Sequence, residues 1–299
     1  MISATKKIAC GAFILLLTLL MMSSMVCAAD TLLKPYVLGY RGAGTIKDRI
    51  AQVKAAVEKE GFQVVGEYEP YTGAHVVVVT DEALRNNAAK SSFGAYGVIQ
   101  RIALTETGKE LQIAYTNPLY MAQIYQMKND LADVAAKLNA ALGKVEEYGS
   151  KKGLKAAALR DYHYMLGMPY FEDQIKLASY KSYDEAIQAV EAGLAKGKGG
   201  TVKVYRVDIP GKKEAVFGVG IKEGKGADEA VMKVIDTAEL RQTSHLPYEL
   251  VVSEGDVYML HGKFRIAQSF PDLTMGTFMK ISGAPAAIEN TLKQVAAGK

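Results

Sequence analysis

Apolar residues in this chain recur first with the period of a helix and then with that of a strand, and the second half goes through the same order again. Ile50, Val53 and Val57 stand three and four apart, the spacing that puts side chains on one helical face. Thr45 precedes them with Asp48 three residues later, a capping-box variant in which a hydroxyl accepts an orphan N–H of the first turn. Ser182 and Glu185 repeat the device ahead of Ile187, Val190 and Leu194. A capped amphipathic helix is predicted near the start of each half.

Each helix runs into glycine, at Gly61 and at Gly199-Gly200, and then into strand-like sequence, FQVVGEY (62–68) and TVKVYRVDI (201–209). Pro70 to Gly73 and Pro210-Gly211 close these strands as turns. Next come AHVVVVT (74–80) and AVFGVGI (215–221), short runs rich in β-branched residues that read as buried strands. DEAL (81–84) and DEAV (228–231) open a second helix in each half. Two further strands are predicted around Tyr96–Leu104 and Glu110–Thr116, and around Tyr248–Ser253 and Val257–Ser269.

The last strand of each half ends in nearly the same heptapeptide, QIAYTNP (112–118) and RIAQSFP (265–271). Matched positions drift apart in order along the chain, by 137 residues at Ile50 and Ile187, 147 at Asp81 and Asp228, and 153 at Pro118 and Pro271. All of that drift falls between elements, where loops accept insertions cheaply. An internal duplication accounts for the shared caps and the ordered drift together. The heptapeptide is then a strand-to-helix joint, with proline stopping the ladder and starting the last helix. The expected fold is α/β of the two-layer α+β kind: two tandem related domains, each about β-α-β-β-α-β-β-α, packed as a pseudo-dimer.

Residues 1–29 read as a targeting segment. Lys6 and Lys7 make a basic start, Gly11 to Met22 is apolar but too short to span a bilayer, and Cys27-Ala28-Ala29 offers small residues for cleavage. The expected organisation is a signal peptide over 1–29, a first repeat over 30–148, a linker or docking segment over 149–172 and a second repeat over 173–299. The expected location is the periplasm or another exported compartment, with a lipid-modified Cys27 as the alternative to a soluble chain. Cys10 and Cys27 both lie in the leader, so the processed chain has no thiol, and disulfide, zinc-thiolate and cysteine-nucleophile chemistry are excluded. Removing Lys6 and Lys7 leaves 34 basic against 32 acidic residues. With no basic run free of acids or interleaved with aromatics, a nucleic-acid partner is not expected.

The marks of each half, a capped helix, a glycine turn, strands and a proline-led joint before an Ala-rich helix, resemble the bacterial domain of unknown function 302. In the first half, Gly61-Phe62 after the opening helix and Asn117-Pro118 before LADVAAKLNAAL (131–142) carry the likeness. The second half has Gly200-Thr201 and Phe270-Pro271 in those places. The resemblance implies a two-layer α/β fold able to pair with a second copy of itself. It brings no catalytic residues with it.

Site chemistry therefore has to come from local constellations. RGAGT (41–45) puts Gly42 and Gly44 just before a helix N-terminus, where backbone N–H groups cradle phosphate in other proteins. Lys198 is followed by Gly199 instead of Ser or Thr, so the glycine-lysine stretch at 196–200 is not a P-loop. The histidines are His75, His163, His245 and His261. His75 and His261 sit in strand patterns, whereas His245, beside the turn-prone Pro247, is a candidate exposed ligand-binding residue. DYHYMLGMPY (161–170) places His163, Met165 and Met168 close together, and soft thioether sulfur suits Cu(I) in a chain without cysteine. The same residues, with the neighbouring tyrosines, also suit an apolar plug where the inter-repeat segment docks. No nucleophile-elbow or H-E-x-x-H pattern occurs. The sequence thus favours a ligand- or partner-binding or scaffolding module; the alternatives are an enzyme with its site between the repeats and a carrier of copper or haem.

Overall fold

A computed structural model describes residues 31–298. The leader read over residues 1–29, including Cys27, lies outside them. The first repeat contains β2 (Tyr36–Ala43), α1 (Ile46–Lys59), β3 (Gln63–Tyr68), β4 (Ala74–Thr80), α2 (Glu82–Lys90), a 3-10 turn (Gly94–Gly97), β5 (Gln100–Thr107), β6 (Glu110–Thr116), α3 (Pro118–Ile124) and α4 (Ala132–Leu142). The short strands β1 (Leu32–Leu33), β7 (Glu146–Tyr148) and β8 (Leu154–Lys155) and helix α5 (Ala156–Arg160) lie before and after it. The second repeat contains β9 (Ile175–Ser179), α6 (Tyr183–Ala195), β10 (Thr201–Asp208), β11 (Glu214–Ile221), α7 (Asp228–Ile235), a 3-10 turn (Thr243–His245), β12 (Tyr248–Ser253), β13 (Asp256–Met259), α8 (Gly262–Ser269), α9 (Met275–Lys280) and α10 (Ala284–Ala296).

The capping signals form as read. Thr45 is extended and its Oγ1 accepts the Asp48 N–H at 3.2 Å, while Ser182 Oγ accepts the Glu185 N–H at 3.2 Å. Each cap supplies one partner for the four N–H groups that a helix start leaves over. Val53 and Val57 on α1, and Ile187, Val190 and Leu194 on α6, are buried in the stripes that the spacing predicts.

All strand pairs in the two main sheets are antiparallel. The first sheet runs β3-β4-β5-β6-β2-β7 and the second β10-β11-β12-β13-β9. Apart from β7, the order is the same when each repeat's strands are counted from its own start. A shared strand order supports the duplication more firmly than the heptapeptide does.

The heptapeptide needs correcting. QIAYT finishes β6 and Pro118 opens α3, as expected, but RIAQS lies inside helix α8 and β13 stops at Met259. His261 explains the change, because its Nδ1 accepts the Lys263 N–H at 3.2 Å and caps the helix. In the first repeat Asn117 does the same for α3, its Oδ1 accepting the Leu119 N–H at 3.2 Å. RIAQSF therefore answers to YMAQIY (120–125) in α3, with the Ala-Gln pair in common. His261 is a helix cap instead of a strand residue. Every residue of α8 except Lys263 is buried, so no amphipathic period survives there to tell helix from strand.

The described residues from Leu32 onward form one compact unit. Alternation along the second sheet assigns its two faces: Val216 and Val251 join a core shared with Val76, Val78, Ile102 and Tyr125 of the first repeat, whereas Phe217, Leu250 and Val252 pack with Val190, Ile288 and Leu292. The 3-10 turn of each repeat reaches the other's sheet, Gly94–Gly97 against β11 and β12, and Thr243–His245 against β4, β5 and β6. Two glycines of β11 leave room for tyrosine rings, one from its own repeat and one from the other. A Cβ on Gly218 would meet the Tyr205 ring, and one on Gly220 the Tyr68 ring of the first repeat. Gly220→Ala should thus cost about 1–3 kcal/mol by overpacking, read as a lowered urea midpoint. An unchanged midpoint would mean that the Tyr68 ring yields without cost.

Candidate functional site

Gly42 lies in β2, and Gly44 turns the chain into α1 with φ +147°. The helix start behind them is already filled. Glu106 Oε1 accepts the Ile46 N–H at 2.8 Å and Thr45 takes that of Asp48. A carboxylate there complements the helix dipole and takes the place a phosphate would need, so the phosphate reading of Gly42 and Gly44 is not supported.

The expected exposure of His245 is also overturned. Its 3-10 turn inserts between the repeats, and the residue is 1% exposed, with its ring against Tyr248 and Phe270. Arg265 Nη1 donates to His245 Nδ1 at 2.8 Å. Because guanidinium can only donate, the imidazole proton is on Nε2. Burial, then Arg265 and Arg101, pushes the ring well below its ordinary pKa, so it is neutral.

Around it lies a group of charges that no local pattern in the sequence discloses. Glu249 pairs with Arg265, Nε to Oε2 at 3.1 Å, and with Arg101 of the first repeat. All three are at most 4% exposed. Arg265 also donates to Ser269 Oγ and the Pro247 carbonyl, and Gln268 Nε2 to Tyr125 Oη at 2.6 Å. Two guanidiniums thus share one carboxylate in the shared core. The cluster is enclosed, which suits joining the repeats better than meeting a ligand.

His163, Met165 and Met168 share the inter-repeat segment, but their side chains have different surroundings. His163 stacks on Tyr170 with centroids 4.4 Å apart, and Met168 lines a small apolar cavity of about 20 Å³ with Ile266, Phe270 and Phe278. No group of three or more His, Cys, Asp or Glu residues placed to hold a metal ion occurs among the described residues. Elsewhere in the segment, Tyr162 and Phe171 are buried in the shared core, Tyr162 Oη donating to the Ala267 carbonyl. His75 sits in β4 between Glu67 and Glu69, at 3.0 and 3.3 Å.

A cleft of about 430 Å³ lies where the two repeats meet, and its lining is what the sequence did not disclose. The first repeat lines it with Tyr71, Thr72, Gly73, Thr105 and Glu106, and the second with Glu229, Met232, Lys233, Asp236, Thr237 and Arg241. Thr243 Oγ1 ties the two sides together, accepting the Thr105 hydroxyl at 2.8 Å and sharing a bond with Tyr71 Oη at 3.0 Å. Gln112 of β6 adds two bonds to the backbone of the second repeat, at Glu239 and Arg241. A larger open groove lined by α1, His75 and Lys222 shares Tyr71, Glu106 and Glu229 with this cleft.

Asp236 gives the cleft its chemistry. It is 5% exposed; Oδ1 accepts the Gln242 N–H at 2.9 Å, and Oδ2 has no partner among the described residues. Burial pushes its carboxyl up to about 6, against the opposing pull of that N–H and of Arg241. Nearby, Asp228 is fully buried and its Oδ2 accepts the Tyr68 hydroxyl of the first repeat at 2.6 Å and the Ile221 N–H at 3.0 Å. Burial pushes this carboxyl up to about 7.

No protein-family model, curated protein or solved structure matches the chain. No helix among the described residues is long and apolar enough to cross a membrane.

Proposed function

We propose that this chain is an exported binding module, two copies of the domain of unknown function 302 fused into a pseudo-dimer, whose joint holds a small amine-bearing ligand. One observation carries the reading: the cleft at the joint is walled by both repeats and lined by Asp236, a buried carboxylate with one oxygen unpartnered. Above about pH 6 that carboxylate is charged, and a buried charge favours an opposite charge that can also hydrogen-bond to it. Tyr71 and Met232 supply apolar wall, and the Thr72, Thr105 and Thr237 hydroxyls lie around the same space. Duplication suits such a site, because fusing two copies makes their contact intramolecular and lets the facing walls diverge.

The test is thermal denaturation at about pH 8, where Asp236 is ionised, with ethanolamine, putrescine and agmatine as probes and ethylene glycol as the uncharged control. At least one amine should raise the Tm of the wild-type chain, ethylene glycol should not, and Asp236→Asn should abolish the shift. Failure of every amine, or an equal shift in Asp236→Asn, would overturn the reading.

A further inference from the structure

Asp236 and Arg241 stand on one short loop after α7 and bring opposite charges to the same cleft. The loop is closed on itself. Asp236 Oδ1 accepts the Gln242 N–H at 2.9 Å, and Arg241 Nη1 donates to the Asp236 carbonyl. The first repeat holds the same loop from its other side, with Gln112 Oε1 accepting the Arg241 N–H at 2.9 Å and Gln112 Nε2 donating to the Glu239 carbonyl at 2.8 Å. The Tyr148 hydroxyl adds a bond to the Arg241 carbonyl. A loop pinned in this way is ordered before a ligand arrives, so the ligand is spared the cost of ordering it.

The two charges are neighbours but not partners. Asp236 Oδ2 has no partner among the described residues, and there the Arg241 side chain makes no bond besides the one to the Asp236 carbonyl. A guanidinium carries five N–H donors in a planar fork that fits a carboxylate, so most of this one's capacity is unused. The other cation lining the cleft is Lys233, exposed on α7. The other acids are Glu229, exposed one turn before it, and Glu106, whose Oε1 is taken by the Ile46 N–H. Neither bonds Arg241.

We infer, building on the amine-binding reading of this cleft, that its ligand is a free α-amino acid, the ammonium meeting Asp236 and the carboxylate meeting Arg241. A plain amine on Asp236 would set its charge close to the like charge of Arg241 and leave the guanidinium without a carboxylate. An α-amino acid carries its carboxylate on the same carbon as its ammonium and so answers both charges at once. The guanidinium fork takes such a carboxylate through two parallel bonds, which adds direction as well as strength. A cleft of about 430 Å³ has room for an apolar side chain on that carbon, against Tyr71 and Met232.

The test is titration calorimetry of the chain with L-leucine, with L-leucinamide, which keeps the ammonium and loses the carboxylate, and with N-acetyl-L-leucine, which does the reverse. At about pH 7 Asp236 is ionised and both amines are protonated. Leucine should bind tighter than leucinamide by about tenfold or more, and N-acetyl-leucine should not bind. Arg241→Gln should bring leucine down to the affinity of leucinamide, while leucinamide, relieved of the guanidinium, binds no more weakly than before. The wild-type comparison needs no substitution, so it decides the matter whether or not that variant folds. Leucinamide as tight as leucine, or unchanged leucine affinity in Arg241→Gln, would overturn the inference and leave the amine-binding reading standing. Binding of ethanolamine or putrescine without leucine would do the same. Silence from every amine, or N-acetyl-leucine as tight as leucine, would overturn both.

Discussion

Glu249→Gln is expected to destabilise the protein by about 3–5 kcal/mol, because it removes the one carboxylate that two buried guanidiniums share. Arg101 and Arg265 stay charged in the substituted protein, since a guanidinium does not give up its proton within the working pH range. His245 cannot help, being neutral and itself an acceptor for Arg265. The loss should appear as a fall in Tm of roughly 10 °C, given that about 1 kcal/mol moves a chain of this size by 2–4 °C. Arg101→Met in the Glu249→Gln background should recover part of the loss, by removing one unpaired charge while keeping most of the volume. A loss below about 1 kcal/mol, or no recovery in the double variant, would show that the cluster does not join the repeats electrostatically.

That cluster also shows where reading the sequence stops. Thr45 and Ser182 are legible as helix caps because capping is a local matter of a side-chain oxygen and an N–H a few residues on. Glu110–Thr116 is legible as a strand with its ends in place. Arg101, Glu249 and Arg265 look like ordinary polar positions beside apolar ones, since nothing local says that the facing surface is a second sheet and not water. His245 misleads for the same reason: a turn beside proline is usually at the surface, and here the other repeat covers it. RIAQSF reads as a strand because its burial is complete. The cleft is harder still. Asp236 and Tyr71 stand far apart in the chain, and only the packing of one repeat on the other brings them to one wall.

Stability should fall as pH rises from about 6.5 to about 8, with Asp228 responsible, whereas below that window the rings of His245 and His261, lowered by burial, pull the other way. Folding buries the Asp228 carboxyl and raises it from the ordinary 3.8 to about 7, so between those values the folded chain holds a proton that the unfolded chain has released. The stability this contributes is complete below the unfolded value and is lost as the pH passes through the folded one, an effect of up to about 4 kcal/mol at 1.4 kcal/mol per unit. Asp236 acts in the same direction over a lower range, ending at about 6, and burial raises Glu214 as well. Asp256 opposes them, since its bond to Lys176 lowers it, but it titrates only at the acid end. Asp228→Asn keeps an oxygen to accept the Tyr68 hydroxyl and the Ile221 N–H, and it has no charge to gain. The variant should therefore lose the fall in stability above about pH 6.5 together with Asp228's share of the slope below it, and at about pH 8 it should be more stable than the wild-type chain by about 2 kcal/mol or more. Urea denaturation at a series of pH values reads both quantities. Parallel curves for the two proteins above pH 6 would mean that Asp228 is already ionised in the fold, held so by Tyr68, Ile221 and Lys222.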